Sequence, residues 1–379
     1  MENSRQQSRR KFLYNLGLAG LSIPVLSAAA HCNLQPSKKQ LMKNKQEGKL
    51  GVALVGLGGY ATGQLAPALQ QAEHCYLAGI VTGTPSKAIS WKEKYNLPEK
   101  NIYNYENFDN IKDNPDIDII YVVLPNFMHA EYSIRAARAG KHVICEKPMA
   151  ITVEDCDRMI AASKKAGKQL SIGYRLHFDP YHREMIKLAN DKNYGALTKI
   201  SAGFSFVAQK GIWRLDKTKA GGGALMDLGI YCLQAVMYTS GQEPVAVTAQ
   251  ALPITDKERF IDIEETLNWQ MEMPNGLMAN CTTSYNESNN FLKIEKEKAW
   301  FQLKPSFNYA GIKAQTFDNR IIEFPKLSQQ QKQMDAFALS VKNNTPTIVP
   351  GEMGRRDVKI ILAIYEAMRT GERVVLSNK

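Results

Sequence analysis

Two short stretches near the start of the ordered part of this sequence could cradle a dinucleotide. Gly56-Leu57-Gly58-Gly59-Tyr60-Ala61 follows an apolar run, Leu50 to Val55, and precedes a helical pattern at Leu65, Ala68, Leu69 and Ala72. In a strand, glycine turn and helix of this kind, Gly56 permits the tight turn and Gly58 lets the backbone approach a pyrophosphate. Ala61 is small enough for close helix packing, and the helix N-terminus faces the negative charge. The same turn could also be an ordinary tight connection, and its context decides. A second apolar run, Tyr76 to Val81, ends at Thr82-Gly83-Thr84-Pro85-Ser86-Lys87. An Asp or Glu at that strand end would hold a ribose 2′-hydroxyl. Here hydroxyls and a lysine stand instead, the donors and charge that a 2′-phosphate wants. The expected cofactor is NADP, with a capping loop whose Ser86 and Lys87 face solvent as the plainer alternative.

Two further segments place reactive groups beside that cradle. Cys145-Glu146-Lys147-Pro148-Met149-Ala150 follows an apolar strand, so it lies at the carboxyl edge where ligands of parallel sheets bind. Leu124-Pro125-Asn126-Phe127-Met128-His129 ends another such strand. Alone, the Glu-Lys pair reads as a surface ion pair; with the other segments it is specific. Farther on, Gly221-Gly222-Gly223 precedes a helical stretch in which Asp227 and Tyr231 stand i and i+4, on one face. Taking a hydride from a C–OH carbon requires the hydroxyl proton to leave too, so a base must reach that oxygen. A free tyrosine ionises near pH 10 and is a poor base at neutral pH. A nearby ammonium such as Lys147 would favour the phenolate. A buried Tyr-Asp hydrogen bond with no chemical role is the commoner use of such a pair.

The elements that must position these groups follow from the periodicity. Residues 50–145 alternate strand and helix, with strands near Ile119 to Leu124 and His142 to Cys145 and a helix from Asn126 to Ala139, which implies a doubly wound parallel sheet. After Gly195 the pattern changes to strands at Leu197 to Val207, Val245 to Leu252, Ile263 to Met273, Leu277 to Ser284, Leu292 to Glu295 and Trp300 to Leu303, with a hairpin at Pro274-Asn275-Gly276. Short turns between successive strands imply an antiparallel sheet. Helices are expected at 328–341 and 352–369. The fold class is therefore α/β: a Rossmann domain over 49–172, then an α+β domain over 173–379 whose final helices (328–370) pack back.

Composition excludes several classes. At 44% hydrophobic and 22% charged residues, the 379-residue chain can bury a sizeable core. Of the net charge of +11, residues 1–50 supply +7, from nine Lys/Arg against Glu2 and Glu47. The remaining +4 over 329 residues does not support a nucleic-acid surface. Cys75, Cys145, Cys156, Cys232 and Cys281 show no CxxC and no regular spacing, so neither a metal site nor a disulfide framework is expected.

Ser8-Arg9-Arg10-Lys11-Phe12-Leu13, an apolar run from Leu16 to Val25 and Ala28-Ala29-Ala30 resemble a twin-arginine export signal over 1–30, ahead of a flexible arm over 31–48. The expected location is periplasmic. The apolar stretch falls short of the roughly 20 residues of a membrane span. Cys32 leaves a lipid anchor as a minor alternative.

The glycine turn, the Leu124–His129 segment and Glu146-Lys147-Pro148, in that order and spacing, resemble the Gfo/Idh/MocA oxidoreductase family across about residues 48–376. Gly173-Tyr174-Arg175-Leu176-His177-Phe178-Asp179-Pro180, Gly211-Ile212-Trp213-Arg214 and Gly221 to Tyr231 bring it nearest to that family's glucose-fructose oxidoreductase branch and its periplasmic relatives. The resemblance implies an active site of Lys147, Asp227 and Tyr231. It also implies a 2′-phosphate site at Thr82 and Lys87, with Tyr174, Arg175, Trp213 and Arg214 near the nicotinamide half. His177 would be a substrate-binding or titrating group, or simply a structural histidine. Glu146 would orient Lys147 or merely end the strand. The family also implies a homo-oligomer, a dimer or tetramer through the second sheet. The expected activity is oxidation of an aldose to its lactone and reduction of a second sugar or carbonyl with retained NADP. A dehydrogenase with exchangeable cofactor and a nonenzymatic sugar-binding or sensor protein are the alternatives.

Overall fold

The computed structural model describes residues 48–376, so the export signal, most of the arm and Cys32 lie outside the described residues. The first sheet has six parallel strands in the order β3-β2-β1-β4-β5-β6: β1 (Leu50–Val55), β2 (Cys75–Val81), β3 (Ile102–Tyr103), β4 (Ile119–Val122), β5 (His142–Cys145) and β6 (Leu170–Ile172). β1 and β4 are apolar and almost wholly buried because helices cover both faces. Those helices are α1 (Ala66–Gln71), α2 (Pro85–Tyr95), α3 (His129–Arg138) and α4 (Val153–Lys165). Strands β3 and β6, two and three residues long, are too short for a periodicity to reveal.

After α5 (Pro180–Asn190) comes an eight-stranded sheet of order β13-β12-β11-β7-β10-β9-β8-β14. Its strands are β7 (Leu197–Ser205), β8 (Ala246–Ala251), β9 (Thr266–Glu272), β10 (Met278–Ser284), β11 (Asn289–Lys296), β12 (Ala299–Leu303), β13 (Ala314–Thr316) and β14 (Val374–Val375). The expectation of a purely antiparallel sheet needs one correction. β7 and β10 run parallel, Ala279 opposite Ile200 through Ser284 opposite Ser205, while the other neighbours are antiparallel. Hairpins fix antiparallel neighbours locally, but β7 and β10 are brought together by the long excursion between them.

Helix α6 (Ile230–Ser240) packs under this sheet, and with the turns before it forms the run Lys217–Ser240, apolar and long enough to cross a membrane. Of its apolar 18-residue stretch 83% is buried inside the protein, which is the setting of a core helix. α7 (Gln329–Asn343) and α8 (Gly351–Thr370) complete the fold. Met334, Phe337 and Ala338 of α7 join the core of β1, β2 and α1. Asp335 accepts from the backbone N–H groups of Glu73 and His74 at 2.9 and 2.8 Å. The end of the chain thereby clamps the nucleotide domain. The five described cysteines are unpaired and buried, and no group of metal-ligating side chains occurs among the described residues.

Candidate active site

A cleft of about 890 Å³ runs along the carboxyl ends of β1, β2, β4 and β5 and is closed on its far side by the second domain. At one end is the glycine turn. Gly56 has φ +96°, and a Cβ there would lie 2.5 Å from the Val123 carbonyl oxygen, so only glycine fits. A Cβ on Gly58 or Gly59 would meet nothing within 4 Å. Their backbone faces open cleft, the space a pyrophosphate needs. Ala61 is fully buried and starts a π-helical turn, Ala61–Leu65, that leads into α1.

Beyond β2 the corner of the cleft is lined by Thr82, Gly83, Thr84, Lys87 and Tyr105, with no carboxylate among them. The Thr82 hydroxyl accepts from the Thr84 N–H at 3.2 Å, and Lys87 Nζ donates to the Leu57 carbonyl at 3.1 Å. The lysine thus ties the end of β2 to the glycine turn and brings a cation to the ribose corner. These residues suit a phosphorylated nucleotide.

The Leu124–His129 segment forms the next wall. Asn126 Nδ2 donates 2.8 Å to the Ala220 carbonyl, joining the two domains. The His129 ring sits between the carbonyls of Pro148 and Leu124, 2.8 Å from each. Burial pushes its imidazolium down, while the two carbonyls favour it. His129 therefore fixes the loop after β4 against the loop after β5.

The groups expected to carry the chemistry occupy the other end. Glu146 Oε1 accepts from the buried Tyr121 hydroxyl at 2.6 Å, and Tyr121 accepts from Gln333 Nε2 of α7 at 2.8 Å. The carboxyl packs where Gly173 has no Cβ, since a Cβ there would lie 2.6 Å from Glu146 Oε1. Burial raises its pKa, against the pull of Tyr121 and Lys147.

Lys147 Nζ donates 2.8 Å to Asp227 Oδ1 and 2.8 Å to the Asp227 main-chain carbonyl. Asp227 Oδ2 meets Arg214 Nε at 3.0 Å and accepts from the Tyr285 hydroxyl at 3.1 Å. Burial would raise this carboxyl, but Lys147 and Arg214 outweigh it and hold it well below the usual range. Burial would likewise depress Lys147, and Asp227 reverses that. With both oxygens taken by donors, Asp227 is an anchor for two cations and not a proton acceptor.

Asp227 lies in a π-helical turn, Leu225–Gly229, wound wider than the α-helix its spacing implies, and Tyr231 follows in the first turn of α6. Both line the cleft. The chain between the glycines and the turn is held from outside: Glu264 accepts from the N–H groups of Gly223 and Leu225 at 3.0 and 2.9 Å and from Tyr365 at 2.9 Å. A buried carboxylate at the start of that turn complements its unpaired N–H groups.

Lys147 stands close enough to Tyr231 for their charges to interact, as expected of a nearby ammonium. Its Nζ lies over the ring, 4.8 Å from the centroid. The donor to the hydroxyl is Arg175 Nε, at 3.3 Å. Arg175, Trp213 and Arg214 line the cleft, with Arg214 stacked 4.6 Å from the Trp213 ring. Tyr174, expected near the nicotinamide half, and His177, expected to bind substrate, to titrate or to be structural, do not line it. They line a small void together with Lys147, Tyr231, Leu176, Gln234 and Tyr238, and the His177 ring pairs with Gln234 at 2.7 Å. In the 3-10 turn Arg175–Phe178 successive side chains point about 120° apart, and of these four residues Arg175 lines the cleft.

Sequence reasoning missed Phe204, Phe206, Phe307 and Tyr309, which line the substrate end. It also missed Tyr285, which reaches Asp227. Strand alternation could have marked Tyr285 as inward-facing, but nothing local says which residue it meets.

The description "Oxidoreductase family, NAD-binding Rossmann fold" of the GFO/IDH/MocA group matches residues 50–174, and the C-terminal domain of the same group matches residues 182–300. The crystal structure of aldose-aldose oxidoreductase from Caulobacter crescentus is 42% identical, covers 86% of this chain and 100% of its own, and superposes with a TM-score of 0.84. D-xylose 1-dehydrogenase (NADP+) of Haloarcula marismortui is 28% identical over 335 residues, 86% of this chain and 92% of that protein. Levoglucosan dehydrogenase, solved with NADH and levoglucosan, has 19% identity and a TM-score of 0.73 and shares the fold.

Proposed function

Because this chain belongs to the Gfo/Idh/MocA oxidoreductase family, we propose that it is an NADP-dependent sugar oxidoreductase that takes an aldose to its lactone and returns the hydride to a second sugar or carbonyl without releasing the cofactor. The carrying observation is that one cleft joins a carboxylate-free ribose corner, Thr82 to Lys87, to the Lys147, Asp227 and Tyr231 cluster. Gly56 to Ala61 would hold the pyrophosphate, Thr82 and Lys87 the 2′-phosphate, and Trp213 and Arg214 the nicotinamide half. When bound, the nicotinamide supplies the hydride acceptor and donor. This chain's residues handle the proton: Tyr231 takes it from the sugar hydroxyl, and the Lys147 ammonium, aimed by Asp227, polarises the reacting oxygen. Aromatic side chains Phe204, Phe206, Trp213 and Tyr309 offer apolar faces to a pyranose.

Export through the twin-arginine signal to the periplasm supports the retained cofactor, since free NADP is not expected outside the cytoplasm and a released one would be lost. The polar outer face of the second sheet, with Thr248, Gln250, Asn268, Gln270 and Asn280, is the proposed contact of a dimer or tetramer. A second reading, a dehydrogenase with exchangeable cofactor, is favoured by likeness to the D-xylose 1-dehydrogenase.

Protein purified without added cofactor distinguishes the two. A nicotinamide band near 340 nm that rises with glucose and falls with fructose or gluconolactone is the expected result. No band, with turnover only on added NADP, selects the second reading. Export is checked by fractionating cells that carry Arg9→Lys and Arg10→Lys, which should retain the protein inside.

A further inference from the structure

Arg175 is 2% exposed and forms no ion pair with a carboxylate among the described residues. Its Nη1 donates to Gln329 Oε1 at 2.5 Å and the Asn308 carbonyl at 3.2 Å, and its Nη2 donates to the Phe307 carbonyl at 2.5 Å. The guanidinium lies between two tyrosine rings, 4.9 Å from that of Tyr231 and 4.5 Å from that of Tyr309. Gln329 is itself oriented, because its Nε2 donates 2.8 Å to Asp179, which also caps α5. A buried cation whose partners are neutral is costly to keep. It brings a positive charge with no carboxylate in hydrogen-bond contact beside the tyrosines Tyr231, Tyr309 and Tyr60, and bonds to the hydroxyl of the first.

The direction of the bond to that phenol is fixed by chemistry. Arginine has donors and no acceptor, so the Tyr231 oxygen must accept from Nε. The oxygen's remaining valence then points away from Arg175, toward the cleft. Lys147, whose ammonium is committed to Asp227, offers only its position over the ring.

We propose that Arg175 is the positioning residue for proton transfer at Tyr231, holding the phenolic oxygen as an acceptor and stabilising the negative charge it carries before it takes the substrate proton. The inference rests on the sugar-oxidoreductase reading and adds to it the group that readies its base. When the alcohol is oxidised the hydroxyl proton passes to the Tyr231 oxygen, and in the return half-reaction that oxygen gives the proton to the carbonyl oxygen. The charged or titratable groups facing Tyr231 are Arg175, Lys147, Asp227 four residues earlier with its partner Arg214, Glu146 and Tyr60 on the nucleotide side, and Tyr309 across the guanidinium. Arg175 alone among them is both cationic and bonded to the oxygen.

The test is the rate of nucleotide reduction after mixing nucleotide-loaded protein with the aldose or polyol that the wild type oxidises, followed across pH. Five proteins are compared: wild type, Arg175→Gln, Arg175→Lys, Tyr231→Phe and the Arg175→Gln/Tyr231→Phe double variant. We expect Arg175→Gln to keep its nucleotide, to slow reduction roughly 100-fold, and to move the acid limb of the pH profile to higher pH. Arg175→Lys should recover part of the rate, and the double variant should be no slower than Tyr231→Phe. An unmoved limb, or a loss in the Tyr231→Phe background as large as in wild type, would overturn the proposal. If Arg175→Gln fails to fold, Arg175→Lys measured with and without Tyr231→Phe decides: a slowing as large in the Tyr231→Phe background as in wild type would overturn the proposal. A wrong substrate class shows in the wild-type trace; a wrong role for Arg175 shows only in the ratios between variants.

Discussion

Lys147 Nζ lies 2.8 Å from both Oδ1 and the main-chain carbonyl of Asp227, a residue 80 positions away on the other domain. The pair links the loop after β5 to the turn before α6 across the cleft. Lys147→Met should leave the nucleotide bound, because the lysine is far from the phosphate end, and cut the rate of reduction at least 100-fold. Asp227 keeps Arg214 and Tyr285, so the thermal midpoint should fall by only a few degrees. Absorbance near 340 nm after mixing with aldose, alongside a melting curve, checks both. Arg should not rescue, since a planar fork cannot copy one ammonium shared between two oxygens of one residue.

The acid limit of stability should depend on Asp227. Its pKa is held below the unfolded value of about 3.9, so it contributes stability above that pH and the contribution is lost as pH falls. Asp227→Asn should therefore be destabilised at pH 7, by about 3 kcal/mol, and show a shallower decline between pH 5 and pH 2. Glu146 has the opposite sign. Burial raises its pKa, so its ionised form opposes folding at neutral pH. Glu146→Gln, which still accepts from Tyr121, should gain stability over wild type at pH 7 and lose that gain by about pH 4. Urea midpoints across pH measure both, and parallel curves for all three proteins would refute the assignment.

Cofactor choice should follow Lys87. Its ammonium bridges to the glycine turn at Leu57 without a carboxylate nearby. Lys87→Ala should weaken NADP binding by about tenfold or more while leaving NAD binding nearly unchanged, because only the 2′-phosphate loses a partner. Fluorescence titration with the two nucleotides decides this. Equal losses for both would place Lys87 on the common part of the cofactor.

His177 should prove structural. Its ring pairs with Gln234, whose amide donates to Asp357. His177→Leu should lower stability by about 1–2 kcal/mol through the unsatisfied Gln234 oxygen and leave kcat/KM for sugar within about threefold. A large rise in KM with the melting temperature unchanged would put His177 on the substrate after all.

The two glycines of the turn should separate fold from binding. Gly56→Ala forces a side chain at φ +96° into the Val123 carbonyl and should destabilise by on the order of 2 kcal/mol. Gly58→Ala has room for its methyl and should fold normally. Its methyl would stand where phosphate approaches, so nucleotide affinity should fall instead.

What the sequence determined by itself were features written within a few residues. The glycine turn after β1, the carboxylate-free end of β2, Lys147 just past β5 and the Asp227–Tyr231 spacing are set by backbone torsions and by strand and helix periods, and these act locally. The alternation of elements gave the parallel sheet for the same reason. Tertiary structure alone decided which groups meet. Arg175 finds Phe307, Asn308 and Gln329 at separations of 132 to 154 residues. Tyr285 reaches Asp227 across 58. Lys147 bonds to Asp227 while Arg175 donates to the Tyr231 hydroxyl, Tyr174 and His177 do not line the cleft, and β7 lies parallel to β10. A period states which face of an element is buried, but the partner across that face is chosen by how the packed layers fit together, and that choice is made among residues distant in the chain.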